Sequence, residues 1–109
     1  MKIPATAVIA QEKLTKYLLV PRPWDDKSKF LGRVGFAIDN PDSLEAAIRE
    51  LASQVDASED GENEYGTFWR SEGELVGPRG TLQVVLIWLQ WAVDGTFHLV
   101  TLKPLKETR

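Results

Sequence analysis

Residues 81–103, TLQVVLIWLQWAVDGTFHLVTLK, decide the fold. Apolar side chains fall on both alternations of 81–92: Leu82, Val84, Leu86 and Trp88 on one, and Val85, Ile87, Leu89 and Trp91 on the other. A strand apolar on both faces is central in its sheet or covered on both sides. Asp94-Gly95 is a strong short hairpin signal, because both residue types tolerate the positive φ of a tight turn. The segment TFHLVTLK then returns as the antiparallel partner.

Working outward, GPRG (77–80) predicts a turn with Pro78 pre-set at its second position. YGTFWRSEGELV (65–76) predicts a strand with a glycine-marked irregularity at Gly66 or Gly73. DASEDGENE (56–64) is acidic and lacks large apolar residues, which predicts an exposed loop or a weak edge hairpin. In NPDSLEAAIRELASQV (40–55), Asn40 is placed to cap, Pro41 takes the first helical position, and Asp42 suits the positive helix end. Leu44, Ala47, Ile48, Leu51 and Ala52 then keep helical spacing.

Nearer the N-terminus, QEKLTKYLL (11–19) sets Leu14, Tyr17 and Leu18 on one helical face, with Lys13 and Lys16 opposite. Pro21 and Pro23 stop that helix. Asp25 or Asp26 caps a second helix running to about Val34, with Phe30, Leu31 and Val34 inward and Lys27 and Lys29 in its first turn. Gly35 is a natural left-handed stop. The sum is an α+β domain over residues 1–109, with three N-terminal helices packed on one face of a three- to four-stranded antiparallel sheet.

Composition narrows the chemistry. Hydrophobic residues make up 43% of the 109, with four Trp, four Phe and two Tyr, as in a folded globule. With no cysteine there is neither disulfide nor thiolate chemistry, and a cytoplasmic location is expected. MKIPATAVIA carries no apolar run of secretory type. The longest apolar block, VVLIWLQWAV, is about half of what a membrane helix requires, so no membrane partner is expected. Charge is unevenly spread. Residues 1–36 hold seven Lys/Arg against three Asp/Glu, residues 37–76 two against eleven, and residues 77–109 four against two. Such a field matters to a partner more than the net −3 does.

GPRG lacks the spacing and the following lysine of a phosphate-binding loop. One histidine and no cysteine cannot make the usual zinc site, and the acidic segment lacks calcium-loop spacing, so no metal and no cofactor are expected. His98 is the one side chain whose ordinary titration lies near neutrality. On a strand it is more often structural. As an acid–base group in metal-free RNA cleavage it needs cations for the phosphate oxygens, for which Arg22, Lys27, Arg79 and Lys103 are candidates. Trp69, Trp88 and Trp91 either stack bases on an open sheet face or pack in the core, with core packing expected of at least two.

Five ordered blocks then carry a resemblance: AVIAQEKLTKYLL, DDKSKFLGRVGF, NPDSLEAAIRELA, YGTFWRSEGELVGPRG and LVTLKP. Together they resemble the bacterial family known as domain of unknown function 6883, over roughly residues 4–104. That family is similar in turn to C-terminal domains of bacterial polymorphic toxins. The resemblance implies helices followed by a four-stranded antiparallel sheet. Position by position it points to Lys13, Lys27, Tyr65, Arg79 and Thr101. Two departures stand out: RPWDDK replaces a His and Gly ahead of the second-helix lysine, and His98 stands where an Arg usually precedes LVT.

Three functional classes follow. The first is an interaction module that binds a small partner protein encoded nearby, through its charged face or a sheet edge. The second is a metal-independent ribonuclease-like domain acting on RNA, with His98, Lys27, Arg79 and Thr101 catalytic. The third is an acidic immunity- or antitoxin-like protein. Lys13, Lys16, Arg22, Lys29 and Tyr65 are the candidate nucleic-acid- or partner-binding residues.

Overall fold

The computed structural model describes residues 2–19 and 27–105. Arg22, both prolines of VPRP and the cap candidates Asp25 and Asp26 lie outside the described residues, as do the side chains of Tyr17 and Lys27. In chain order the elements are α1 (Gln11–Lys13), a wide turn (Leu14–Leu18), α2 (Lys27–Gly32), α3 (Pro41–Gln54), β1 (Ser58–Asn63), β2 (Gly66–Gly77), β3 (Gly80–Trp91) and β4 (Phe97–Pro104). The strands form one antiparallel sheet in the order β1-β2-β3-β4.

Three helices laid side by side on that sheet are not what forms. Only α3, with fourteen residues, is a full helix; α2 has six and α1 three. After α1 the backbone widens into a π-type turn, closed by the Leu19 N–H donating to the Leu14 carbonyl at 3.0 Å. The turn still buries Leu14 and Leu18 completely, so the apolar spacing found its core without a regular helix. Short helices gain little from propensity alone, and packing decides their form.

Helix α3 buries Leu44, Ile48, Leu51 and Ala52 against β2. Asn40 sits at its start but does not cap it: the Asn40 Oδ1 accepts from the Ala37 N–H at 2.9 Å, closing the loop before the helix. Arg49 of α3 donates to the carbonyls of Ala5 (3.3 Å) and Ala7 (2.9 Å) and so ties down the N-terminal segment. That segment buries Ile3, Ala7 and Ile9, and at Val8 it pairs in parallel with His98 on the outer edge of β4.

Strand β3 is central and paired along its length with β2. Leu82, Val84, Leu86 and Trp88 enter the core beneath α3. On the opposite face Val85 and Ile87 are buried, Leu89 is half-buried and Trp91 is exposed. Trp88 belongs to the core cluster and the half-buried Trp69 packs against it, whereas Trp91 does neither. Register irregularities fall in β1, between Glu59 and Glu62, and where β3 pairs with β4, between Ile87 and Trp88, and not in β2. Gly66 and Gly73 answer to close approach instead. A Cβ on Gly66 would lie 1.9 Å from the Gln90 carbonyl oxygen, and one on Gly73 2.7 Å from the Leu51 Cδ1.

Gly66→Ala should cost more than about 2 kcal/mol, since backbone must move to admit the methyl group. At Gly61, where φ is +101° and nothing lies within 4 Å, alanine should cost only about 1–2 kcal/mol of backbone strain. Urea melts of the two variants check the order. Ser71 is fully buried with its hydroxyl unpartnered among the described residues, so Ser71→Ala should be neutral or stabilising by up to about 1 kcal/mol in the same melts.

Candidate functional site

Three places on the molecule bring chemistry-bearing side chains together. The first is the end of the sheet where β1 turns into β2 and β3 into β4. His98 projects from the face opposite α3, across from Leu89, and stacks on Trp91 with centroids 3.6 Å apart and planes 12° from parallel. Its Nε2 lies 2.8 Å from the Thr96 Oγ1, which lies 2.7 Å from the Asp94 Oδ1. The carboxylate can only accept, so the Thr96 hydroxyl donates to it. The Thr96 oxygen therefore accepts from His98 Nε2–H, which leaves Nδ1 as the free ring nitrogen of a neutral His98. The Asp94 carboxyl titrates below its ordinary value, chiefly because the Thr96 hydroxyl and then the Thr96 N–H (3.0 Å) donate to it.

Beside Trp91 lies an open groove of about 590 Å³ lined by Glu64, Tyr65, Leu89, Trp91, Ala92 and Val93. Tyr65 reaches it from the β1–β2 turn, whose shape is set by the Asn63 side chain accepting from the Tyr65 and Gly66 N–H groups. Tyr65 is 67% exposed and Trp91 40%. His98 does not line this groove and supports Trp91 from elsewhere.

The second place is the opposite end of the sheet. There the Gly77–Gly80 turn docks on the residues after α2: the Arg79 N–H donates to the Val34 carbonyl at 2.8 Å. A Cβ on Gly77 would meet that same carbonyl oxygen at 2.6 Å, which makes the first glycine of GPRG a packing requirement. Arg79 thus sits at the end of the molecule that carries exposed Lys29 and Arg33. Gly80 pairs next to the turn and Leu89 pairs with His98, so Arg79 and His98 stand about 30 Å apart along the strands at ordinary β rise. Thr101, opposite Ile87, lies between them with its hydroxyl buried and unpartnered among the described residues. Lys27 opens α2, Lys16 is exposed on the wide turn, and Lys13 is half-buried at the end of α1. Arg79 and His98, both described, therefore do not share one cleft.

The third place was not singled out from the sequence as residues. Strand β2 has twelve residues, and β1, with six, pairs only as far as Arg70. In a two-residue hairpin closed by Gly77 and Gly80, the odd-numbered residues of β2 bond to β3, consistent with the Ala92 N–H donating to the Tyr65 carbonyl. The even-numbered Glu72, Glu74 and Val76 then turn their N–H and C=O groups outward, and none of these has a backbone partner among the described residues. Alongside runs a groove of about 660 Å³ between this edge and α3, lined by Phe36, Ala46, Ala47, Glu50, Glu74 and Val76 among others. The one signal available in the sequence was the brevity of DASEDGENE against the length of the strand that follows.

The chain thus forms an antiparallel sheet behind a single long helix, with half of β2 left without a strand partner among the described residues. Residues 3–106 match the family model described as Domain of unknown function (DUF6883), and the chain belongs to that family. No curated protein and no solved structure shows significant similarity to it. No described helix is long and apolar enough to cross a membrane. Among the described residues no three His or carboxylate side chains gather as a metal site.

Thr96→Val should raise the Asp94 pKa toward its ordinary 3.8, because the donor that lowers it is gone. A depressed carboxylate contributes its stability above that value and loses it as pH falls through the folded pKa, so the variant should be less stable than wild type above that value, and the difference should close as pH falls through the wild-type folded pKa. NMR titration reads the Asp94 shift, and the nitrogen shifts of His98 should show the Nε2–H preference weakened.

Proposed function

We propose that this protein is an interaction module that takes up an extended segment of a small partner protein as an added strand on β2. The carrying observation is the row of outward backbone groups at Glu72, Glu74 and Val76 beside the groove under α3. Main-chain hydrogen bonds supply affinity in strand addition, and the flanking groove supplies choice of side chain. The outer edge of β1 is less suited, because it is short, bulged and wholly exposed, with Glu59, Asp60 and Glu62 along it. The resemblance to polymorphic-toxin domains supports a partner encoded nearby and a bacterial cytoplasm as the setting. A cysteine-free domain suits that compartment.

A second reading, the metal-independent ribonuclease-like one, draws support from the Asp94–Thr96–His98 chain, which orients an imidazole at the surface. Of its proposed cations, Arg79 is not beside His98 but at the far end of the sheet. Cleavage of RNA in the presence of chelator, abolished by His98→Ala, would establish it.

Glu74→Pro tests the first reading. The lost N–H points outward, so the sheet keeps its ladder and melting should change little. Binding of peptides selected from a displayed library should fall at least about tenfold, the loss of one or two main-chain hydrogen bonds. Hydrogen exchange on the wild type should show those peptides protecting the amides of Glu72, Glu74 and Val76. Protection confined to other residues sinks the proposal.

A further inference from the structure

We infer that the segment β2 accepts is basic, with Lys or Arg at every second residue and small or apolar residues between; this rests on the strand-addition reading. A strand laid along β2 presents its side chains alternately to the α3 side and to the opposite face. On the α3 side it meets Phe36, Ala46 and Ala47, which admit side chains without charge, with Glu50 beside them. On the opposite face it lies beside Glu72 and Glu74, both exposed. Glu72 is held by Arg70, while Glu74 has no ion pair or hydrogen-bonded side chain among the described residues. Opposite charges across neighbouring strands attract, and like charges repel. The lining of the groove contains no Lys, Arg or His to offset Glu50.

The same charges disfavour the simplest competing occupant, a second copy of this chain. Two β2 edges meeting antiparallel about Glu74 would set Glu72 and Glu74 of each copy close to those of the other. Carboxylates along an open edge are a recognised guard against such self-pairing. A basic strand removes the repulsion and gains the attraction, so one feature serves both ends.

The test uses the full chain and three short labelled peptides of alternating Lys–Thr, Gln–Thr and Glu–Thr, titrated by fluorescence anisotropy. The Lys–Thr peptide should bind about tenfold tighter than Gln–Thr, and Glu–Thr weakest, as two cross-strand charge pairs imply. The preference should shrink at high salt. The doubly substituted Glu72→Lys/Glu74→Lys chain should reverse the order, and a melt confirms that it folds. Equal binding of all three peptides with amide protection at Glu72, Glu74 and Val76 overturns the charge inference and leaves strand addition standing. Preference for Lys–Thr without that protection, and unaffected by Glu74→Pro, overturns strand addition. A concentration-dependent dimer that protects those amides in sedimentation and exchange measurements assigns the edge to a second copy and overturns the inference.

Discussion

The close approach of the helical half to β2, at Gly73 and Gly77, is the constraint on which the rest of the molecule depends. At Gly73 the absent side chain admits Leu51 of α3, and at Gly77 it admits the Val34 carbonyl. The Arg79 N–H then bonds to Val34, so one short turn anchors the sheet to the chain after α2. Packing this tight excludes a methyl group at either glycine, and interiors packed at that density pass the constraint on to their neighbours. Here it sets α3 over β2 and brings Leu44, Ile48 and Leu51 onto Leu75, Leu86 and Trp88 in one core.

That placement also leaves part of β2 open. With α3 covering the inner face of β2 and β1 ending early, the strand keeps an edge with no paired strand among the described residues. Exposed edges are normally short, bulged or charged, as β1 is throughout. On β2 only the charges remain, and a groove runs beside them. The His98 end of the sheet is of another kind. Its hydrogen-bonded chain and stacked rings hold the imidazole firmly, yet Arg79 stands about 30 Å away along the strands.

Elements whose signals are local could be anticipated from the residues. The hairpin at Asp94-Gly95, the GPRG turn, the double-sided apolar run of β3 and the apolar stripe of α3 each lie within about a dozen residues and depend on backbone preference and periodicity. The two shorter helices were overstated for the same reason. Their spacing showed which residues are buried, and Leu14, Leu18 and Leu31 are, but spacing cannot show whether a segment of this length closes regular α-turns. Asn40 was placed as a cap by type, and its side chain served the preceding loop instead.

The amino-acid sequence by itself determined the meander of β2, β3 and β4, the third helix, and the apolar positions of α3 and β3 that enter the core, because burial and turn preferences are written residue by residue. Only the tertiary structure decided which charged groups meet. The separation of Arg79 from His98 depends on strand length and turn placement, and the open half of β2 exists only as the difference between two strands once paired. Neither quantity belongs to any single segment, since each arises from the register in which distant segments bond.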